Sequence, residues 1–165
     1  MKIKFVYLLI PIFFLLLSFR LYVYDISYYQ RNANMVGNES FTSEVSLNLI
    51  NYFQSKEELG NYYTQRERTH LVDVKSLIGF TIKLFYLVTV VLLFVVIYLL
   101  YKKDFLNLGM MFTYGSLLTF FVIMFFFVIS FINFDRFFIM FHKIFFTNDL
   151  WILNEGDLLV NLYTE

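Results

Sequence analysis

The chain has 165 residues, 59% of them apolar, with 23 Phe, 13 Tyr and a mean hydropathy of +0.66, well outside ordinary soluble domains, and so reads as a membrane protein. Thirteen basic and 13 acidic side chains cancel, which leaves no polybasic surface for nucleic acid and makes membrane lipids the expected partners. The absence of cysteine excludes disulfides, thiolate metal sites and cysteine nucleophiles. Any chemistry falls to His, Asp, Glu, Asn, Ser or Tyr.

The first apolar run, 5-FVYLLIPIFFLLLSF-19 extended by Leu21 to Tyr24, follows Lys2 and Lys4. The residues after Ser18 are Phe19, Arg20, Leu21 and Tyr22, too bulky for signal peptidase, so residues 5–24 are expected to stay as a transmembrane anchor. Pro11 is a candidate kink, tolerable inside a bundle. Residues 25–77 are polar and mixed, with three helix-like pieces at 43–53, 56–63 and 65–78. Val45, Leu47, Leu49, Ile50 and Phe53 keep a mostly helical spacing, Thr42 and Ser43 are candidate N-caps, and Gly60 is a break. About fifty residues hold little core of their own. This element is expected to lean on the membrane helices.

A second span is expected over 78–101, containing 84-LFYLVTVVLLFVVIYLLY-101, with Lys83 placed to snorkel. After the polar link 102-KKDFLN-107 comes a third, over 108–134, longer than a bilayer requires and therefore tilted or projecting into the interface. Residues 135–165 are then an outer interfacial segment. Lys2 and Lys4 before the first span, and Lys102 and Lys103 between the second and third, belong on the cytoplasmic side. The 25–77 element and everything after Phe134 are thereby expected outside, so the chain's two histidines, His70 and His142, emerge on one face. The expected fold class is an all-α polytopic membrane protein of three transmembrane helices with a small extracellular element.

In 69-THLVDVKSLI-78, His70 and Asp73 are three apart and share a helix face within hydrogen-bond reach. A carboxylate there can fix the imidazole tautomer that a general base needs, although the spacing alone favours a weak solvated pair. His142 lies in the aromatic stretch 137-FFIMFHKIFF-146, which reads as an amphipathic helix in the interface. Asn148 and Asp149 are candidates to cap a turn over 149–153, with Asp149 as N-cap, and Trp151 is a candidate belt residue. Each piece alone has a structural explanation. Together, two histidines and two aspartates at one membrane face are costly unless paired or useful. A metal site of His70, His142 and a carboxylate lacks HExxH-type spacing, and there is no GxSxG elbow or Gly-rich phosphate loop. No cofactor is expected.

Read as a set, these residues resemble the lipoprotein intramolecular transacylases of Gram-positive bacteria. The resemblance runs through 47-LNLINYF-53, 65-QRERTHLVDVK-75, 141-FHKIFFTNDLWIL-153 and the pair Asp157 and Leu158, in matching order over most of residues 5–160. It implies a multi-pass enzyme of the cell membrane with its catalytic face outside. Its partners would be diacylglyceryl-modified lipoproteins, and it would move one ester-linked acyl chain to the α-amino group of their N-terminal cysteine to give the lyso form. Carried onto this chain, His70 and His142 become the catalytic pair, with Asp73, Asn148, Asp149 and Trp151 in support. His70, oriented by Asp73, would take the amine's proton, His142 would serve the leaving oxygen, and Asn148 would donate to the oxyanion, with the two histidine roles interchangeable. Family members continue past the acidic-leucine pair into a further apolar span, whereas this chain stops at 161-NLYTE-165. It is expected to be a shortened or compact variant. From other classes, a non-catalytic membrane subunit binding a partner through its outer element and a metal-dependent hydrolase are the competing readings.

Overall fold

From Gln65 to Tyr101 the sequence offers a helix no reason to stop: it contains no proline, and its one glycine, Gly79, costs only about 1 kcal/mol against alanine. The computed structural model, which describes residues 3–32 and 38–163, accordingly has one helix over this whole stretch. Lys2 and the Lys4 side chain, on which part of the orientation argument rests, lie outside the described residues, as do Thr164 and Glu165. A 3-10 turn, Ile3–Leu8, leads into α1 (Leu9–Tyr22), followed by α2 (Ile26–Asn32), α3 (Glu39–Phe53), α4 (Gln65–Tyr101), α5 (Phe105–Ile132), α6 (Phe134–Phe145) and α7 (Leu158–Tyr163). No strand occurs among the described residues. Both α4 and α5 are long and apolar enough to cross a membrane.

The chain divides into two units, Met1–Arg20 with Phe80–Phe141, and Leu21–Gly79 with His142–Glu165. In the first, Ile10, Val88, Leu92, Leu99 and Met111 form a buried cluster. A Cβ built on Gly115 would sit 2.6 Å from Ile10 Cγ1, so only a glycine lets the two backbones approach this closely, as small residues do between membrane helices. Pro11 falls in the first turn of α1, where its missing N–H leaves no helical bond unmade, and the 3-10 turn precedes it. Elsewhere α4 and α5 present large exposed apolar side chains, among them Val90, Phe94, Ile97, Phe121, Phe125 and Phe131, a surface suited to hydrocarbon.

The junction of α4 and α5 is built by local chemistry. Lys103 takes a φ of 53° as the left-handed residue ending α4, with its N–H to Leu100 O at 3.0 Å and that of Asp104 to Leu99 O at 2.9 Å. Asp104 then caps α5 by accepting from Asn107 N at 3.1 Å. The same device ends α3, where Ser55 has a φ of 59° and Lys56 N donates to Asn51 O at 2.8 Å.

In the second unit, Val45, Leu49, Ile50, Leu59, Tyr63, Leu71 and Leu162 belong to the buried core. Three local expectations are corrected. The N-cap of α3 is Asn38, whose side chain accepts from Phe41 N at 2.9 Å, and Thr42 and Ser43 lie inside the helix. Residues 56–63 form no helix, because the polar groups of this loop are satisfied from outside: Asn48 accepts from Gly60 N at 2.9 Å and donates to Glu58 O at 3.0 Å, and Arg68 donates to Tyr63 O at 3.2 Å. The third apolar run does not continue to 134. It breaks at Asn133, whose side chain accepts from Arg136 N at 2.9 Å and so opens α6.

Candidate functional site

The first turns of α4 are set by a capping box that the sequence reading passed over. In 64-TQRE-67, Thr64 Oγ1 accepts from Glu67 N at 3.3 Å, while Glu67 Oε2 accepts from Thr64 N at 2.7 Å and from Thr64 Oγ1 at 2.8 Å. The T-x-x-E pattern was the available signal. Glu67 is fully buried, and its other oxygen accepts from Leu159 N in α7 at 2.7 Å. One carboxylate thus satisfies orphan donors in the first turns of two helices 92 residues apart in sequence.

Starting from that fixed end, positions 66, 70 and 73 follow at helical spacing on one face of α4. Each meets the C-terminal segment. Arg66 Nη2 donates to Asp149 O at 2.6 Å, the His70 ring lies 6.1 Å from that of His142, and Asp73 Oδ2 accepts from Asn148 Nδ2 at 2.9 Å. Two residues far apart in the chain are thereby brought into one cluster. Phe146, buried, presents an edge to His70 at 5.2 Å, and Trp151 lies against His142 with ring centroids 4.9 Å apart and planes tilted by 32°. His70 is buried and His142 half-buried.

The hydrogen bonds depart from expectation at two points. Among the described residues His70 Nδ1 is buried without a hydrogen-bond partner, so Asp73 does not orient the imidazole, and its carboxylate is instead held by Asn148. The turn expected over 149–153 is present, with Ile152 N donating to Asp149 O at 3.2 Å. Its capping side chain is Asn148, which accepts from Leu150 N at 3.0 Å; Asp149 is exposed and contributes its backbone carbonyl to Arg66. Asn148 thus keeps one amide N–H beyond the bond to Asp73. Arg66 was not singled out from sequence, because its partner is a backbone oxygen 83 residues away, which leaves no trace in residue type.

Burial holds the pKa of His70 below that of a free imidazole, the charge of His142 pushes it further down, and Asp73 opposes both. His70 is therefore a neutral imidazole at neutral pH. It can accept a proton there, and the group it charges with is compensated by a carboxylate one turn away.

A protein whose described residues form helices and no strand, two of them long and apolar, with two imidazoles adjacent in an aromatic cluster, fits a membrane protein. Comparison with known families gives that class a narrower identity. The model of the lipoprotein intramolecular transacylase Lit family matches residues 1–165, the whole chain, and the protein belongs to that family. No curated protein and no solved structure matches it. The family is one of membrane enzymes, and its name implies a transacylase acting on lipoproteins.

Proposed function

We propose that this protein moves an ester-linked acyl chain from the diacylglyceryl group of a lipoprotein to the α-amino group of its N-terminal cysteine, giving the lyso form. The observation that carries this reading is the 6.1 Å separation of the His70 and His142 rings, which lets both imidazoles reach one reacting group. Donor ester and acceptor amine sit on the same cysteine, so the reaction is intramolecular and orientation supplies much of the rate. His70 is the base, in keeping with its burial and lowered pKa, and His142, packed against Trp151, serves the leaving glyceryl oxygen. No covalent enzyme intermediate is required. The chain crosses the membrane at 5–24, 78–101 and 108–132, with its N-terminus cytoplasmic and the histidines outside, following the positive-inside distribution of Lys2, Lys4, Lys102 and Lys103.

The test is to express the chain in a host that makes diacylglyceryl lipoproteins and to read the N-terminal lipopeptide by mass spectrometry. Migration leaves the total mass unchanged and moves one acyl group onto the nitrogen-containing fragment. His70→Ala and His142→Ala should each abolish that fragment while folded protein persists. Full transfer by His142→Ala would remove the catalytic reading in favour of a non-catalytic subunit. Loss of transfer on chelation would favour a metal-dependent hydrolase.

A further inference from the structure

Asp73 is left without the task that sequence gave it. It sits three residues from His70 on the same face of α4, yet the imidazole's Nδ1 has no partner among the described residues and the carboxylate bonds to Asn148. That bond, at 2.9 Å, uses one oxygen, Oδ2, and fixes the carboxylate's orientation. An ionised carboxylate has room for about four hydrogen bonds. Asn148 is itself fixed through Leu150 N, and Arg66 ties the adjoining Asp149 carbonyl to α4. A half-buried carboxylate is thus held in place by a neutral amide, one helical turn from a buried imidazole nitrogen that lacks a partner among the described residues. No cation pairs with Asp73 among the described residues, and the substrate of the proposed reaction brings one.

We infer that Asp73, held by Asn148, is the docking site for the α-ammonium group of the lipoprotein's N-terminal cysteine, placing that nitrogen one helical turn from His70. The inference rests on the acyl-transfer reading above. It deepens that reading by assigning a recognition group for the acceptor.

The charge relations make the placement productive. An α-amino group has a reference pKa near 8 and arrives protonated. Bringing it to a half-buried site costs desolvation unless a fixed opposite charge compensates. Asp73 supplies that charge. When the ammonium passes a proton to His70, the positive charge moves from nitrogen to imidazole, and Asp73 faces the new cation as it faced the old one, since its charge favours protonated His70. The carboxylate therefore stabilises the charge before and after the transfer.

The freed amine attacks the ester carbonyl, and the C–N bond forms as the glyceryl C–O bond breaks. The leaving oxygen takes a proton from His142, and the second amine proton, released as the amide forms, restores His142. His70 returns its proton to water. One proton is released overall, as conversion of an ammonium and an ester to an amide and an alcohol requires.

The experiment compares binding of two diacylglyceryl-cysteinyl peptides, one with a free α-amine and one N-acetylated, to the full chain in nanodiscs at pH 7. The free-amine peptide should bind the parent protein at least about tenfold more tightly, as a charge-assisted contact to a positioned carboxylate would give. Asp73→Asn should reduce that ratio to near one while leaving the N-acetyl peptide's affinity unchanged, and Asp73→Glu should restore part of it. In the parent protein the preference should also fade as pH rises past about 8, where the amine loses its charge. That arm stands even if Asp73→Asn fails to fold. A parent protein that transfers acyl groups but shows no preference between the peptides overturns this inference alone, as does an Asp73→Asn protein that keeps the full preference. A parent protein that binds neither peptide and transfers nothing overturns the acyl-transfer reading itself.

Discussion

At the scale of single residues, His70 has the environment of a base that stays neutral. Burial against Phe146 lowers its pKa first, the charge of His142 lowers it further, and Asp73 acts in the opposite direction. The consequence for pH has a definite sign. A histidine whose folded pKa lies below 6.5 binds fewer protons than the unfolded chain just below that pH, so it stabilises the fold above 6.5 and loses that contribution as pH falls through the folded value. Thermal midpoints in detergent should therefore drop as pH is lowered from about 6.5, the imidazole reference value. The acid limb of kcat/KM should also lie below the ordinary imidazole value, because the base remains neutral at pH where a free histidine is charged. Phe146→Ala, which admits water to His70, should move that limb back toward 6.5. An acid limb above 6.5 in the parent protein would be incompatible with His70 as the base.

At the scale of elements, the helices were legible wherever one helical period or one apolar run decided the matter. The stretches 43–53, 65–78 and 78–101 fall within helices. Boundaries failed where a side chain and its partner act over a distance. Residues 56–63 have helix-forming composition, but Asn48 and Arg68 satisfy their backbone in an open loop, and neither partner is a sequence neighbour of the loop's centre. Asn133 interrupts an apolar run that reads as continuous, because its side chain caps the next helix. The histidine pair could be suspected from topology, while the burial of Glu67 and the Asp73–Asn148 bond arise only when the C-terminal segment meets α4. Glycine gives a test of the packing itself. Gly115→Ala should cost about 1–3 kcal/mol through overpacking, since the new methyl would meet Ile10 Cγ1 at 2.6 Å. Gly109→Ala meets nothing within 4 Å and should be neutral or gain up to about 1 kcal/mol from helix propensity. The check is the thermal midpoint of each variant in one detergent; equal midpoints would remove the close approach of Gly115 to Ile10.

At the scale of the whole molecule, the proposed reaction imposes a requirement on topology: with the N-terminal cysteine of the proposed substrate on the outer face of the membrane, both histidines would have to meet it there. The charge pattern satisfies this if Lys102 and Lys103, at the short turn between α4 and α5, remain in the cytoplasm. That turn is well suited to stay put. Lys103 closes α4 in the left-handed conformation, and Asp104 opens α5 at the next residue, so the two basic residues lie in a short connection next to both span ends. The chain has no cysteine, which makes single introduced thiols unambiguous reporters. Lys56→Cys, in the exposed loop after α3, should react with a membrane-impermeant thiol reagent in intact cells, and Leu106→Cys, exposed at the start of α5, should react only after permeabilisation. Removing the two positive charges together, as Lys102→Gln with Lys103→Gln, should weaken the bias and let a fraction of Leu106→Cys label from outside, because the positive-inside rule counts basic residues in short loops near span ends. Transfer activity should then fall in proportion to the fraction inverted, since an inverted molecule holds His70 and His142 on the side away from the substrate. Labelling of Leu106→Cys from outside in the parent background would reverse the topology and leave the two imidazoles facing a compartment without diacylglyceryl lipoproteins to act on.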